Sequence, residues 1–261
     1  MLQMNLAQYL KIGIEAAENA SDFIKTQTKE IIKIDFKGVS DLVTNADIKS
    51  EEIIVDKIKK NFPSHKFLTE ESGFIFDNSD FCWVIDPIDG TTNFVHGYPF
   101  YSVSISLFYE EIPVLGIVKH ISSGEIYYAT KQNGAFCNNK KIFVSKTKYL
   151  SKSLLATGFG YKHEEIWEKN MILHKKLTHL TQGVRRAGSA ALDLCHVARG
   201  WLDGYWELDL NPWDIGAGII IVEEAGGLAT KVNGEKITLN DKEILSSNGL
   251  IHEKIRENLI N

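Results

Sequence analysis

Leu6, Leu10, Ile14 and Ala17 recur at three- and four-residue steps, which predicts a long amphipathic helix over residues 4–30. The apolar run IIKIDF at 31–36 reads as a short strand, and Lys37-Gly38-Val39-Ser40 as a polar loop. A second helix starts near Thr44, carries Ile54 and Ile58 on one face, and is closed by Pro63. Residues 66–69 form a short strand that runs into Glu70-Glu71-Ser72-Gly73. Then comes WVIDPIDGTTNF, from Trp83 to Phe94. Its apolar, β-prone opening meets Asp86 and Asp89, with Pro87 between them and Gly90-Thr91-Thr92 behind. Two carboxylates at the mouth of a hydrophobic sheet repel each other and are costly to bury, so the stretch needs an explanation.

Past this point the period falls to two. Val103, Ile105 and Leu107 alternate with serines, and further strands fall at 112–120 and 125–130. The turns contain Ser-Ser-Gly at 122–124 and Gln-Asn-Gly at 132–134, the pattern of an antiparallel meander. From about residue 150 a β-α rhythm returns. Strands are expected at 154–158, 184–187, 202–207, near 228–231 and near 244–247, with helices at 164–177, 189–199, 212–225 and 250–260. There is no repeat, low-complexity tract or Pro/Gly/Ser linker. The whole chain, 1–261, is expected to pack as one α+β (α/β layered) domain, with approximate lobes at 1–145 and 146–261.

Composition narrows the function. Of 261 residues 44% are hydrophobic and 24% charged, an ordinary globular mix. Lys plus Arg is 29 against 34 Asp plus Glu, a formal charge of -5, which argues against direct nucleic-acid binding. Cys82, Cys137 and Cys195 are odd in number and lack zinc spacing, so reduced thiols in a cytoplasmic protein are expected. The N-terminal segment is interrupted by Lys11, Glu15 and Glu18, unlike a signal peptide, and no apolar run is long enough for a membrane span.

Four acidic clusters carry the candidate chemistry, and each has a bland reading. In Asp41-Leu42-Val43-Thr44-Asn45-Ala46-Asp47, Thr44 as N-cap and Asp47 at N3 make an approximate capping box. Glu70-Glu71 reads as a solvated loop. Asp86-Pro87-Ile88-Asp89-Gly90-Thr91 could be a turn, but a turn does not need Asp86 at the end of an apolar strand. In Asn211-Pro212-Trp213-Asp214, a cap, a proline at N1 and an acid at N3 start a helix. Together, however, all four sit where strands end and helices begin, the usual place for a site in a layered α/β fold. Hard oxygen donors without His or Cys suit Mg²⁺. A helix opening at Gly90-Thr91 would offer N–H groups to a phosphate. The pattern points to Mg²⁺-assisted phosphoryl hydrolysis.

WVIDPIDGTTNF and NPWDIGAGIIIVEEAGG resemble the two signature motifs of the inositol monophosphatase family, with DLVTNAD and TEESG where that family has its other acidic elements. RRAGSAALDLCHVARGWLDGYWE is similar to bacterial members. The resemblance implies an alternating αβαβα sandwich, a homodimer, and Mg²⁺-dependent, Li⁺-sensitive hydrolysis of a phosphate monoester. It implies that Glu70, Asp86 and the Ile88 carbonyl hold one Mg²⁺, that Asp86, Asp89 and Asp214 hold a second, and that a third, weaker ion lies near Glu70. Asp47 and Thr91 would position and deprotonate the attacking water, and the Gly90 and Thr91 N–H groups would bind phosphate. Asp89, Ala190 and Glu207, the last two matched through GSAA and YWE, would face a small phosphorylated polyol, and Lys37-Gly38 matches a mobile loop. Thr69 departs mildly from the family's Gly before the Glu pair.

Other signals are weaker. His163, His174 and His179 lack metal spacing and read as surface or helix-end residues. Gly158-Phe159-Gly160 lacks the third glycine of a dinucleotide fingerprint. Arg185-Arg186 fits either a solvated strand end or a contact to a partner. Trp201, Trp206 and Trp213 read as core or interface. Within phosphatases the scaffold also serves fructose 1,6-bisphosphate, NADP and 3′-phosphoadenosine 5′-phosphate, although DGTTNF favours inositol phosphates. A rival of another class is a binding factor for nucleic-acid machinery with secondary catalysis.

Overall fold

A computed structural model describes residues 5–27, 34–36, 42–75, 79–160 and 164–260. Helix α1 (Leu6–Gln27) buries Ile12, Ala16, Ala17, Ala20 and Ile24 along one stripe, as its sequence period requires. A small hairpin, β1 (Ile34–Phe36) and β2 (Leu42–Thr44), leads into α2 (Asn45–Asn61). Then follow β3 (Lys66–Thr69), β4 (Gly73–Ile75), β5 (Phe81–Asp89) and the short α3 (Thr91–Val95). The meander is β6 (Ser102–Tyr109), β7 (Ile112–His120), β8 (Ile126–Thr130), β9 (Ala135–Cys137) and β10 (Lys140–Lys141). After a 3-10 turn at Leu150–Lys152 come β11 (Leu154–Thr157), α4 (Glu165–Leu180), β12 (Gly183–Arg185), α5 (Ala190–Ala198) and β13 (Gly204–Leu208). The chain closes with α6 (Pro212–Glu224), β14 (Leu228–Thr230), β15 (Glu243–Ser247) and α7 (His252–Ile260).

Two main sheets result. The larger has the order β10-β9-β8-β7-β6-β5-β3-β4, and the smaller β12-β11-β13-β15-β14. Helices α1 and α2 cover one face of the larger sheet, α5 and α6 lie between the sheets, and α4 and α7 cover the far face of the smaller one. This is the alternating αβαβα sandwich. Ile54, Trp83 and Ile117 fill the first interlayer, Tyr127, Leu194 and Ile220 the middle, and Leu177, Trp206 and Ile255 the outer. Helix α6 buries every residue from Ile215 to Val222, because a helix between two sheets must be apolar all round. Among the described residues, no helix is long and apolar enough to cross a membrane.

Several expectations are corrected. The described part of the first helix ends at Gln27, and Lys37 lies outside the described residues, as does His163. Strands β2, β4, β9 and β10 were not anticipated. Each is two or three residues long, too short for a period-two pattern to register. The apolar strand also does not stop at Asp86. It runs to Asp89, with a register shift that leaves Asp86 opposite Ser104 and Asp89 opposite Ser102. A bulge there accommodates Pro87, which has no N–H for the ladder. Trp206 is core, while Trp201 is exposed with the Arg199 guanidinium 3.4 Å above its ring.

Candidate active site

The bulge in β5 turns Asp86 and Asp89 toward the same end of the larger sheet. Asp86 is buried, and its Oδ1 accepts the Ile88 N–H at 3.0 Å, which folds the carboxylate back over the bend. The chain leaves through Gly90, whose φ of +92° disfavours any residue with a side chain. A Cβ there would also stand 3.0 Å from the Gly188 carbonyl and 3.1 Å from that of Phe100. Gly90 and Thr91 open α3, where the first N–H groups have no partner inside the helix.

Asp47 meets this bend from α2. It is 1% exposed, and both of its oxygens are used. Oδ2 accepts the Thr44 N–H at 2.8 Å and the Thr44 hydroxyl at 2.5 Å, completing the capping box. Oδ1 accepts the Thr91 hydroxyl at 3.1 Å, and the same hydroxyl lies 3.0 Å from the Ile88 carbonyl. The capping role and the contact to Thr91 therefore belong to one carboxylate, one oxygen each.

Glu70 caps the end of β3, with its N–H on the Ile85 carbonyl at 3.2 Å, and Asp214 enters from the first turn of α6. Burial, then the charges of Glu70, Asp89 and Asp214, and a hydrogen bond with Glu70, hold Asp86 well above the usual carboxylate range. Asp214 is raised for the same first reason, burial, against the pull of the Asn211 N–H that its Oδ2 accepts at 2.6 Å. Among the described residues no three Asp, Glu, His or Cys side chains close into a ready cation cage. Asp214 is turned to the α6 cap and Asp89 to α5. The donor chemistry nevertheless fits a hard dication: only carboxylate and carbonyl oxygens, with the charges of Glu70 and Asp89 raising the proton affinity of both Asp86 and Asp214. Glu70, Asp86, Asp89, Asp214 and the Ile88 carbonyl are the groups that could hold it.

The smaller sheet supplies the opposite wall. Ser189 caps α5 and donates its hydroxyl to Asp89 Oδ2, while the N–H groups of Ala190 and Ala191 reach Asp89 at 3.2 and 3.0 Å. Burial pushes the Asp89 carboxyl up to about 6, against the pull of these donors and of Ser102. Asn93 of α3 ties the chain before β6 to the chain before α5, donating to the carbonyls of Phe100 and Ala187. Glu207, at the end of β13, is buried and accepts the Tyr205 hydroxyl. Burial pushes it up to about 7, opposed by Tyr205 and Arg186 and assisted by the charges of Asp89 and Asp209. The sequence-predicted residues Asp47, Glu70, Asp86, Ile88, Asp89, Gly90, Thr91, Ala190, Glu207 and Asp214 thus line one region. Arg186 sends its charge toward Glu207 and Asp193, and Arg185 is exposed on an edge strand.

Several supporting residues escaped the sequence. A Cβ on Gly158 would fall 2.1–2.3 Å from the Glu207 carboxylate, so this glycine makes the seat for that side chain. Its carbonyl is held by Asn170 of α4, which also receives the Trp206 indole N–H at 2.8 Å. Asp193 is a buried acid facing Asp89 and Glu207. Asp193, like Ser189, lies within the family-like stretch RRAGSAALDLCHVARGWLDGYWE, whereas Gly158 and Asn170 lie outside every motif that pointed to the site.

The model of the inositol monophosphatase family matches residues 5–261. An inositol-1-monophosphatase from Synechocystis is 45% identical over 257 residues, covering 98% of this chain and 90% of that one. A putative Nus factor SuhB from Neisseria meningitidis serogroup A is 37% identical over 243 residues, covering 92% and 93%. Among solved structures, the extragenic suppressor protein suhB from Bartonella henselae superposes with a TM-score of 0.92 at 35% identity, covering 97% of this chain and 98% of that one.

Proposed function

Since this chain belongs to the inositol monophosphatase family and is a phosphoric monoester hydrolase, we propose that it hydrolyses a polyol monophosphate, myo-inositol monophosphate first, using Mg²⁺ at the four-acid site. The observation that carries the reading is the buried Thr91–Asp47 contact set beside Glu70, Asp86, Asp89 and Asp214. Glu70, Asp86 and the Ile88 carbonyl would hold one ion, Asp86, Asp89 and Asp214 a second, and a third would lie near Glu70. Bound Mg²⁺ would acidify the attacking water, polarise the phosphoryl group and stabilise the leaving alkoxide.

The chain's own groups do the rest. The N–H groups of Gly90 and Thr91 orient the phosphate. The Thr91 oxygen accepts a proton from water as its own proton passes 3.1 Å to Asp47 Oδ1. Thr44 keeps Asp47 aimed by holding the other oxygen. Asp89, Ala190 and Glu207 face the ring that leaves. A homodimer in the cytoplasm, with its three cysteines reduced, completes the proposal. The names of the SuhB relatives favour a second reading, a factor for nucleic-acid machinery, which retention of transcription proteins by the immobilised chain would support. The substrate is tested by phosphate release over inositol monophosphate, fructose 1,6-bisphosphate, NADP, 3′-phosphoadenosine 5′-phosphate and an aryl phosphate. Inositol monophosphate should give the highest kcat/KM, and a clear preference for any of the other three biological substrates overturns it.

A further inference from the structure

Helix α2 presents three buried polar residues on one stripe, Asp47, Ser50 and Glu51, at steps of three and four. Asp47 has its role above; the other two do not. The Ser50 hydroxyl donates to the Pro87 carbonyl at 3.1 Å, at the crest of the β5 bulge. Glu51, only 3% exposed, reaches the loop that joins β3 to β4. Its Oε2 accepts the Glu71 N–H at 2.8 Å, and its Oε1 accepts the Ser72 N–H at 3.0 Å.

That second contact is unusual in what it serves. The loop is three residues long, Glu70 to Ser72, between the paired Thr69 and Gly73. Ser72 is exposed, and water could satisfy N–H groups at such a tip. Burying a carboxylate costs free energy that a loop of this kind does not need for its own stability. What the contact fixes is the residue just before the two N–H groups. Glu70 is then pinned from both sides, by the Ile85 carbonyl on its own N–H and by Glu51 on the next two.

We propose that Glu51 is a positioning residue for the cation site: it clamps the loop that carries Glu70 and so sets where the Glu70 carboxylate meets Asp86. Together with Ser50 at Pro87, it makes α2 a common rail on which Asp47, Glu70 and the Asp86–Ile88 segment are aligned. This rests on the reading of Glu70 and Asp86 as Mg²⁺ ligands. Groups that orient ligands in this way typically change metal affinity about 10–100-fold when altered.

The test is Mg²⁺ binding to the full chain by titration calorimetry, beside phosphate release as a function of Mg²⁺ concentration. Glu51→Gln keeps the shape but turns an amide donor toward one of the two N–H groups. It should weaken Mg²⁺ binding about tenfold or more, with kcat at saturating Mg²⁺ within about threefold of the parent. Glu52→Gln, one residue on and exposed, should leave both unchanged. Parental Mg²⁺ affinity in a folded Glu51→Gln chain overturns the inference. If that variant does not fold, amide hydrogen exchange on the parent decides instead. Protection at Glu71 and Ser72 that rises on adding Mg²⁺ supports the clamp, since binding and ordering are reciprocal. Fast exchange at both amides with and without Mg²⁺ overturns it. A parent chain that binds no Mg²⁺ at all would remove the metal reading itself.

Discussion

Replacing Asp47 by Asn separates the two jobs that one carboxylate holds. The side chain keeps its size, and its amide oxygen can take the place of Oδ2, accepting the Thr44 N–H and hydroxyl. The amide nitrogen then faces Thr91, which can accept from it while donating to the Ile88 carbonyl 3.0 Å away. The number of hydrogen bonds is preserved and only their charge assistance is lost, about 1 kcal/mol of stability. For a domain of this size that lowers Tm by roughly 2–4 °C. The chemistry suffers more, because an amide cannot take the Thr91 proton. Loss of a positioned base typically costs 10²–10⁴-fold, which is about 3–5 kcal/mol in the barrier. Initial rates of phosphate release, with a thermal melt and Mg²⁺ titration of the same preparation, read the three quantities together. The Asp47→Asn chain should be a slow enzyme with near-parental melting and near-parental Mg²⁺ affinity. Thr91→Ala should fall similarly, and the double variant should be far from additive because the pair acts as a unit. Turnover within about threefold of the parent in Asp47→Asn would refute the relay and leave Asp47 a helix cap.

Other consequences are as specific. Gly158→Ala drives a methyl group into the Glu207 carboxylate; kcat/KM for inositol monophosphate should fall at least about tenfold while an aryl phosphate and Mg²⁺ affinity are spared. Equal losses on both substrates would reduce Gly158 to packing. Asp214→Asn should weaken the second Mg²⁺ more than the first in calorimetry, and loss of the tighter step would reverse the assignment of the two ions. Burial, and then the charges of His120 and Arg199, hold His196 at about 4. Its ring lies between Phe100 and Trp201. The fold prefers the neutral ring, so this contribution is complete above the ordinary value near 6.5 and is lost as pH falls from there toward 4, up to about 2 kcal/mol by pH 5. Urea unfolding at pH 7 and pH 5 should show a smaller drop for His196→Gln than for the parent; an equal drop refutes it.

The acids were legible because charge at the end of an apolar strand conflicts with burial, and a conflict of that kind marks a site. The switch between period-two strands and β-α alternation showed a layered α/β domain, while the αβαβα order of the layers came from the resemblance of the motifs, and the structure shows α6 buried throughout Ile215–Val222 between the sheets. The course of β5 was not legible. Pro87 and Asp89-Gly90 use turn chemistry, and only the pairing with β6 reveals that the strand continues through a bulge. Asp47 looked like a choice between a cap and a base because sequence cannot show that its two oxygens point to different partners. Glu51, four residues on, reads as a solvated helix acid, and its burial depends on a loop about 20 positions away. Gly158 stood out only as part of an incomplete dinucleotide pattern, because what it avoids, the Glu207 carboxylate, arrives from another strand.

The most direct test is the release of phosphate from myo-inositol monophosphate by the purified chain, measured with Mg²⁺, after thorough chelation, and with Li⁺ added to the Mg²⁺ reaction. The all-oxygen acidic site predicts turnover that requires Mg²⁺, vanishes on chelation and returns on its replacement, and is inhibited by Li⁺. Undiminished turnover after chelation, or no release with saturating Mg²⁺, would contradict the account.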